Sequence, residues 1–437
     1  MRRKRGHRLI ILATALTVAA IGAAPPAVAA PNTQRISISS ADVQADSSSL
    51  TSAPSGNGKL IAFDSNATNL VANDTNATQD VFVRNKKTGK TSIVSVRSNG
   101  AQANGPNSTP DISKNGRYVV FQSNATNLVA NDGNGLTDIF IRDRKKNKTK
   151  RVSTRSNGGE ANGTNTQPSI SADGRYVAFA SSASNLVSGD SNGQFDVFVK
   201  NLKNGKVTRV SERSNGTQGN GTSSDPVISP DGRHVVFTSS ATNLVPNDSN
   251  GFADIFFHTR SSKKTIRVSV ASDGAQGDAV SFLPTVSNGK IVAFVSGATN
   301  LVPNDTNATT DVFIRNVGKK QTRRMSVSNA GIEGNLGSGN STPGLSEDGR
   351  LVVFPSDATN LVAGDTNAVA DVFLRDRKKQ TIKRVSVRFD GTEANGVSGV
   401  SEISLDGRFV SFASNATNLV GGDTNAFTDI FLRGAFN

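Results

Sequence analysis

The sequence predicts an all-β fold, a seven-bladed β-propeller of four-stranded antiparallel blades. Three observations predict it: one unit recurs seven times, each unit holds short strand signals between turn residues, and the last unit lacks a strand that the start of the chain can supply. Self-similarity at a period of this length is typical of propellers and solenoids. A phenylalanine marks each copy, at spacings of 57 to 60 residues: Phe63, Phe121, Phe179, Phe237, Phe294, Phe354 and Phe412.

The second copy shows the four strands of a unit, which we label a to d in chain order. A short strand introduced by Pro110 is predicted over 109–113, two apolar strands over 118–121 and 139–141, and a fourth over 150–154. The middle two strands are apolar at successive positions, so both of their faces must be covered. A radial array provides that cover, because each sheet lies between two neighbouring sheets.

The two ends of the repeat region are complementary. The last unit stops at its third strand, residues 429–433, and the segment 34–39 matches the missing fourth strand. We therefore expect residues 34–39 to complete blade seven and close the ring, which would remove exposed sheet edges.

Residues 1–29 have the pattern of a signal peptide. A cationic segment at 2–8 precedes an apolar segment at 9–24, and Ala27–Ala29 supplies a small-x-small cleavage site. We therefore expect export, by the Sec or the twin-arginine route, and a single propeller domain over 30–437. No later stretch is long and apolar enough to suggest a transmembrane segment in the processed chain.

Composition excludes several kinds of chemistry. The chain has no cysteine, so it has no disulfide, no thiolate metal site and no catalytic thiol. Only His234 and His258 lie beyond the predicted signal peptide, which excludes a three-histidine metal site. Neither a Gly-x-Ser-x-Gly nucleophile elbow nor a phosphate-binding glycine loop occurs.

The order of motifs within each unit resembles that of a known family. Pro-x-Ile-Ser is followed by Ser-x-Asp-Gly-Arg, a hydrophobic strand and Asp-Ile-Phe, an order similar to the TolB-like, WD40-like β-propeller repeats, and the match extends over 33–437. The resemblance implies a propeller fold. It also implies one of the family's roles, which include binding partner proteins in the periplasm and gating peptidases.

The loop between strands b and c carries Asp-x-Asn-x-x-x-Asp in every unit. Oxygen ligands at positions one, three and seven favour a calcium loop. The variable residue at position five, and the tendency of Asp and Asn to accept backbone N–H bonds in turns, favour a structural role instead. Calcium is thus a candidate cofactor, and both interpretations stay open. The candidate ligands are Asp74, Asn76, Asp80, Asp132, Asn134, Asp138, Asp190, Asn192, Asp196, Asp248, Asn250, Asp254, Asp305, Asn307, Asp311, Asp365, Asn367, Asp371, Asp423, Asn425 and Asp429.

The turns between strands c and d are rich in lysine and arginine. Antiparallel blades place the cd and ab turns at one end of the propeller and the bc loops at the other, so we expect a basic face opposite a carboxylate-rich face. Solvated turn ends are the competing interpretation. The candidate polyanion-binding residues are Lys86, Lys87, Arg144, Lys145, Lys146, Lys263, Lys264, Lys319, Lys320, Arg377, Lys378 and Lys379.

These turns also indicate what kind of partner to expect. They lack interleaved aromatic residues, so nucleic acid is not the expected partner. A protein or an anionic polymer of the cell envelope fits an exported protein better, and we expect the chain to act as a monomer.

Strand a is expected to line the central channel, and its most variable position carries acidic residues. Asp111 and Glu402 lie there, and Asp225 stands two residues before the equivalent position of its blade. Paired carboxylates facing one another across the channel could catalyse glycoside hydrolysis, although polar lining of a water-filled channel is the simpler interpretation. We expect a non-catalytic binding or scaffolding propeller, with a carbohydrate-active hydrolase or lyase as the alternative.

Overall fold

The computed structural model describes residues 32–436, which form seven four-stranded antiparallel sheets. The predicted signal peptide, 1–29, lies outside the described residues. Each sheet is one blade, and the predicted all-β seven-bladed propeller is confirmed. Within 32–436, no helix has the length and apolar character that crossing a membrane requires.

The strands follow one another in the same order in every blade. Blades one to six each consist of four consecutive strands, and blade seven takes its outer strand from the other end of the chain. The strands are β1 (Asn32–Arg35), β2 (Ser49–Pro54), β3 (Leu60–Ser65), β4 (Asp80–Asn85), β5 (Lys90–Ile93), β6 (Asn107–Ile112), β7 (Tyr118–Ser123), β8 (Asp138–Asp143), β9 (Lys148–Arg151), β10 (Asn165–Ile170), β11 (Tyr176–Ser181), β12 (Asp196–Asn201), β13 (Val207–Arg209), β14 (Ser223–Ile228), β15 (His234–Ser239), β16 (Asp254–Thr259), β17 (Lys264–Arg267), β18 (Ser281–Val286), β19 (Ile291–Ser296), β20 (Asp311–Asn316), β21 (Gln321–Arg324), β22 (Gly344–Leu345), β23 (Leu351–Ser356), β24 (Asp371–Asp376), β25 (Thr381–Arg384), β26 (Ser398–Ile403), β27 (Phe409–Ser414) and β28 (Asp429–Gly434).

The core lies between neighbouring blades and is built on strands b and c. In blade two, Phe121 on β7 stands opposite Phe140 on β8, with ring centroids 6.0 Å apart and both rings fully buried. Each of the other six blades has a phenylalanine pair at the same register. Burying such a side chain contributes roughly 1.5–3 kcal/mol. The apolar runs of strands b and c therefore stabilise each blade against its neighbours.

The outer strand of a blade is covered by the blade before it. After β5 the chain forms a short hairpin, closed by pairing of Val96 with Gln102. This hairpin contacts β9 of blade two, where Thr149 donates its backbone N–H to Ser98 Oγ and its hydroxyl to the Val96 carbonyl. The contact satisfies hydrogen-bonding groups that an edge strand would otherwise leave open to another chain.

Ring closure by the N-terminal strand is also confirmed, with a shift in its bounds. β1 pairs with β28 from Asn32 opposite Gly434 to Arg35 opposite Phe431, so the strand covers 32–35 rather than 34–39. Beyond Arg35 the chain leaves the ladder, because Ser37 Oγ turns inward and donates to Asp429 Oδ1 at 2.5 Å.

The fourth strand of blade two shows the same shift. It covers Lys148–Arg151 rather than 150–154, and Ser153 turns toward Asp138. Ser37 and Ser153 thus follow strand d rather than belong to it.

Candidate functional site

The repeated Asp-x-Asn-x-x-x-Asp motif of the bc loops places two carboxylates beside an arginine from strand d. In blade two, Arg151 Nη1 lies 2.9 Å from Asp138 Oδ2 and 3.3 Å from Asp132 Oδ1, and it also bonds Glu160. The side chains of Asp132 and Asp138 are almost completely buried. The guanidinium therefore supplies the positive charge between the two aspartates.

The same arrangement recurs in five more blades. An arginine of strand d lies within 4 Å of both loop aspartates in each of them. These arginines are Arg35, Arg209, Arg267, Arg324 and Arg384. In six blades the predicted calcium loop thus already encloses a cationic side chain of the protein.

The second aspartate of the pair in blade two connects its own blade to blade three. Asp138 Oδ1 accepts hydrogen bonds from Ser153 Oγ at 2.5 Å and from Asn165 Nδ2 at 3.0 Å, while its other oxygen faces Arg151. Burial raises the pKa of Asp138 to about 6, although the Ser153 hydrogen bond and Arg151 oppose the shift. This carboxylate therefore links strand c and the end of strand d of blade two to strand a of blade three.

The side chain of the asparagine at position three of the motif forms its hydrogen bonds with the backbone. Asn134 Oδ1 accepts from the N–H of Leu136 at 2.8 Å, and its Nδ2 donates to the carbonyl of Ala161 at 2.9 Å. These contacts form the turn that the structural interpretation predicts. The fourteen loop aspartates therefore do not create the expected carboxylate-rich face, because the second of each pair is fully buried and six of the seven pairs share an arginine.

The cd turns lie at the other end of the blades, beside the ab turns. In blade two the backbone N–H of Arg144 donates to the carbonyl of Arg117, whose guanidinium pairs with Asp143 at 2.7 Å. The predicted grouping of ab and cd turns at one end is therefore what the contacts show.

Three of the twelve candidate cations at this end are held by internal contacts. Arg144 Nη1 donates to the carbonyl of Gly116 at 2.6 Å, and Arg377 makes the equivalent bond to Gly349. Lys86 Nζ lies 3.7 Å from the centroid of the Phe409 ring. The other nine are exposed, and none forms an ion pair within residues 32–436: Lys87, Lys145, Lys146, Lys263, Lys264, Lys319, Lys320, Lys378 and Lys379. We call these nine residues the lysine face.

Strand a lines a central cavity of about 400 Å³. A β-bulge interrupts its pairing between Ser108 and Asp111, and Thr109 inside the bulge has a φ of 50°. Asp111 Oδ2 accepts from the N–H of Ile170 in blade three at 2.8 Å, and Oδ1 accepts from Ile112 at 2.7 Å. Burial raises the pKa of Asp111 to about 6. This carboxylate joins two blades besides lining the cavity.

Glu402 lines the same cavity from blade seven, which is separated from the blade of Asp111 by blade one. Its Oε1 accepts from the N–H of Ile403 at 3.2 Å, and burial, with a further contribution from the Asp111 charge, raises its pKa to about 8. Asp111 is on blade two and Glu402 is on blade seven, and both of these blades are neighbours of blade one. The two carboxylates therefore do not lie on opposite sides of the channel, as the sequence had suggested they could.

Asp225 does not join this pair. It exchanges two hydrogen bonds with Gln167, at 2.6 and 3.0 Å, and thereby links blades three and four. The structure therefore places all three acidic candidates at the cavity, and the charge of Asp111 acts on Glu402.

A ring of hydrogen bonds around the ab turns was not predicted. Each ab turn forms a hydrogen bond with the ab turn of the next blade. Pro230 has no N–H to donate, so in its turn the N–H of Asp231 donates to the side chain of Asn288 instead. Across this ring, Lys114 Nζ of blade two lies 2.6 Å from Glu347 Oε2 of blade six. The bonds run from Gly56 to Lys114, Lys114 to Ala172, Ala172 to Pro230, Asp231 to Asn288, Asn288 to Glu347, Glu347 to Leu405, and Asp406 to Gly56.

Comparison with known proteins shows similarity at the level of structure. No protein-family model and no curated protein matches the chain. An oligogalacturonate lyase from Vibrio parahaemolyticus is 11% identical, with 93% of this chain and 97% of that chain covered and a TM-score of 0.54. The β-propeller domain of the Trilobed protease from Pyrococcus furiosus is 13% identical, with 88% and 95% covered and a TM-score of 0.53.

A TolB from Acinetobacter baumannii is 16% identical over 70% of this chain, with a TM-score of 0.42, and the chain spans 58% of its length. At these identities the likeness is one of fold. The chain is therefore a seven-bladed β-propeller, the fold that the motif order of its repeats implies.

Proposed function

We propose that this protein is an exported, non-catalytic binding propeller that docks through its lysine face onto an anionic polymer of the cell envelope. The observation that carries the proposal is the set of nine exposed lysines on the cd turns of five blades, none of which forms an ion pair within residues 32–436. They belong to blades one, two, four, five and six, so they form an extended arc of positive charge. A polymer with repeated charges can contact several of these turns at once, and linked contacts bind more tightly than isolated ones.

The distribution of the other charges supports the same face. The bc-loop aspartates are buried and mostly paired with arginine, and the ab-turn arginines Arg117 and Arg350 pair with Asp143 and Asp376. The lysine face therefore carries positive charge that no ion pair within residues 32–436 compensates. Unpaired charge of one sign raises the local concentration of an oppositely charged partner.

Polyanion binding is tested with polymers of defined chemistry. Polyphosphate and polygalacturonate, each immobilised, should retain the purified protein at low salt. Retention should fall steeply as ionic strength rises, because charges are screened over about 10 Å at 0.1 M salt. Retention on one polymer alone would identify phosphate or carboxylate as the recognised group. No retention on either would overturn polyanion binding and leave a protein partner as the remaining form of the proposal.

A carbohydrate-active enzyme is the second candidate, favoured by Asp111 and Glu402, which both line the cavity. A carboxyl group with a pKa of about 8 is protonated at neutral pH and is suited to act as a general acid. Turnover of neutral and acidic glycans that is lost on Glu402→Gln and kept on Asp225→Asn would establish this activity. Asp225 is the matched control, because it lies at the cavity but outside the pair.

A further inference from the structure

The bc loop of blade one lacks the arginine that every other blade has. Ile93 stands opposite Phe82 in β5, at the register where Arg151 stands opposite Phe140 in blade two. The isoleucine packs against the core between blades seven and one. Its side chain carries no charge and is shorter than arginine, so the space between the two loop carboxylates is left without a cation.

The two carboxylates of blade one are nevertheless buried as in the other blades. Asp80 is fully buried. Asp74 Oδ2 is inaccessible to solvent and has no hydrogen-bond partner. Within residues 32–436, no lysine, arginine or histidine lies within 4 Å of either carboxylate. A buried carboxylate oxygen without a donor is costly, so this oxygen points to a missing partner.

Neutral donors replace only part of what the arginine provides elsewhere. Gln102 Nε2 donates to Asp74 Oδ1 at 2.9 Å, and Asn76 Nδ2 donates to Asp80 Oδ2 at 2.8 Å. The amide oxygens accept hydrogen bonds from Thr75 and Thr78, and they lie in the same loop region as the carboxylates. The repulsion between the carboxylates remains: burial is the main cause of the raised pKa of Asp80, and the charge of Asp74 adds to it.

We propose that the bc loop of blade one binds a divalent cation of the calcium class through Asp74 and Asp80, in the place that an arginine fills in the other six blades. Two carboxylates with nearby amide oxygens suit calcium, which takes six to eight oxygen ligands in irregular geometry and accepts water for the rest. The six sister loops show that this arrangement of aspartates holds a cationic group. Magnesium is less suited, because it demands near-octahedral geometry and gives up its water reluctantly.

Calorimetric titration of the metal-free purified protein tests the site, with Ca²⁺ in one arm and Mg²⁺ in another. We expect one Ca²⁺ per chain and weaker binding of Mg²⁺. Ile93→Arg restores the side chain found in the other blades, so it should fold normally and lose at least tenfold in Ca²⁺ affinity. Ile93→Val, the matched control, leaves the space uncharged and should bind as the wild type does.

The reverse change in another blade separates this site from adventitious binding. Arg151→Ile empties the equivalent space in blade two, where Glu160 offers a further carboxylate, and it should raise the stoichiometry to two Ca²⁺ per chain. Absence of Ca²⁺ and Mg²⁺ binding by the wild type would overturn the proposal. Equal affinity in Ile93→Arg would also overturn it, and failure of folded Arg151→Ile to gain an ion would show that a missing arginine does not make a site.

Discussion

Arg151 Nη1 lies 2.9 Å from Asp138 Oδ2, and this buried ion pair joins the fourth strand of blade two to the start of its third. Most blades contain an equivalent ion pair, so this contact is a feature of the repeat rather than of one local site. An arginine on strand d and an aspartate at the end of the bc loop therefore depend on one another. Substitutions that remove only one of them are expected to cost more than removal of both.

Arg151→Ala should destabilise the protein by about 3–5 kcal/mol, because it leaves two buried carboxylates without a cation. Asp138→Asn added to Arg151→Ala should recover part of that loss, since it removes one of the unpaired charges. Urea-induced unfolding measures both values. Arg209→Ala is the matched control, because Arg209 lies 3.6 and 3.9 Å from its aspartates and Gln218 donates to both of them, so its loss should be smaller. Equal losses for the two alanine variants would contradict this account of the loops.

Deletion of 32–39 should expose the edge of β28 and unpair Asp423 and Asp429 from Arg35. We expect aggregation or a large fall in melting temperature, because an open strand edge pairs with other chains. Size-exclusion chromatography and thermal unfolding report both effects. A synthetic peptide of 32–45 should restore solubility when added during refolding. A truncated protein as soluble and heat-stable as the parent would refute closure by this strand.

Stability should fall as pH rises from about 4.5 to about 8, because of Glu402. Its pKa is raised from 4.5 to about 8 in the folded protein, so in this window the folded state binds a proton that the unfolded state has released. Glu402→Gln should therefore be more stable than the parent at pH 8 and show a flatter stability profile. Glu402→Ala should flatten the profile in the same way. Melting temperatures measured across this pH range test the expectation, and unchanged slopes in both variants would contradict it.

The repeat predicts the fold because it is visible in the sequence without any contact information. The paired phenylalanines, the turn residues and the missing strand of the last unit suffice for seven blades and ring closure. The fourth strand was predicted too far along the chain, because Ser37 and its equivalents stand in a sequence that is typical of a strand. Their hydroxyls bond a buried aspartate instead, and that contact depends on the fold.

The candidate sites were less predictable because they depend on which side chains meet. The motif of the bc loops suggested exposed calcium ligands, but the residue that decides their environment lies on strand d, one to two dozen residues later. The arginine was present in the sequence as part of the Arg-Val-Ser segment of most units, and its absence at Ile93 was visible too. No feature of the neighbouring sequence connected this arginine to the aspartates of the bc loop. Six of the seven bonds around the ab turns join residues about 57 to 59 apart, and the seventh joins Asp406 to Gly56. The bonded residues share no residue type.

Binding by the lysine face is tested most directly by two variants with the same net charge. One replaces Lys145, Lys146, Lys378 and Lys379 by glutamine. The other leaves the lysines intact and introduces glutamate at four exposed bc-loop positions, Ala72, Ala130, Ser188 and Ala363. Both changes lower the net charge by four, and both should leave the melting temperature nearly unchanged, because exposed charges contribute little to stability.

The measurement is retention of these two variants and the parent on the immobilised polyanion at low salt. If the lysine face is the docking surface, the glutamine variant should lose most of its retention, while the glutamate variant should bind almost as the parent does. Equal loss in the two variants would show that overall charge rather than this face drives the interaction. Unchanged retention of the glutamine variant would contradict the proposed docking face outright.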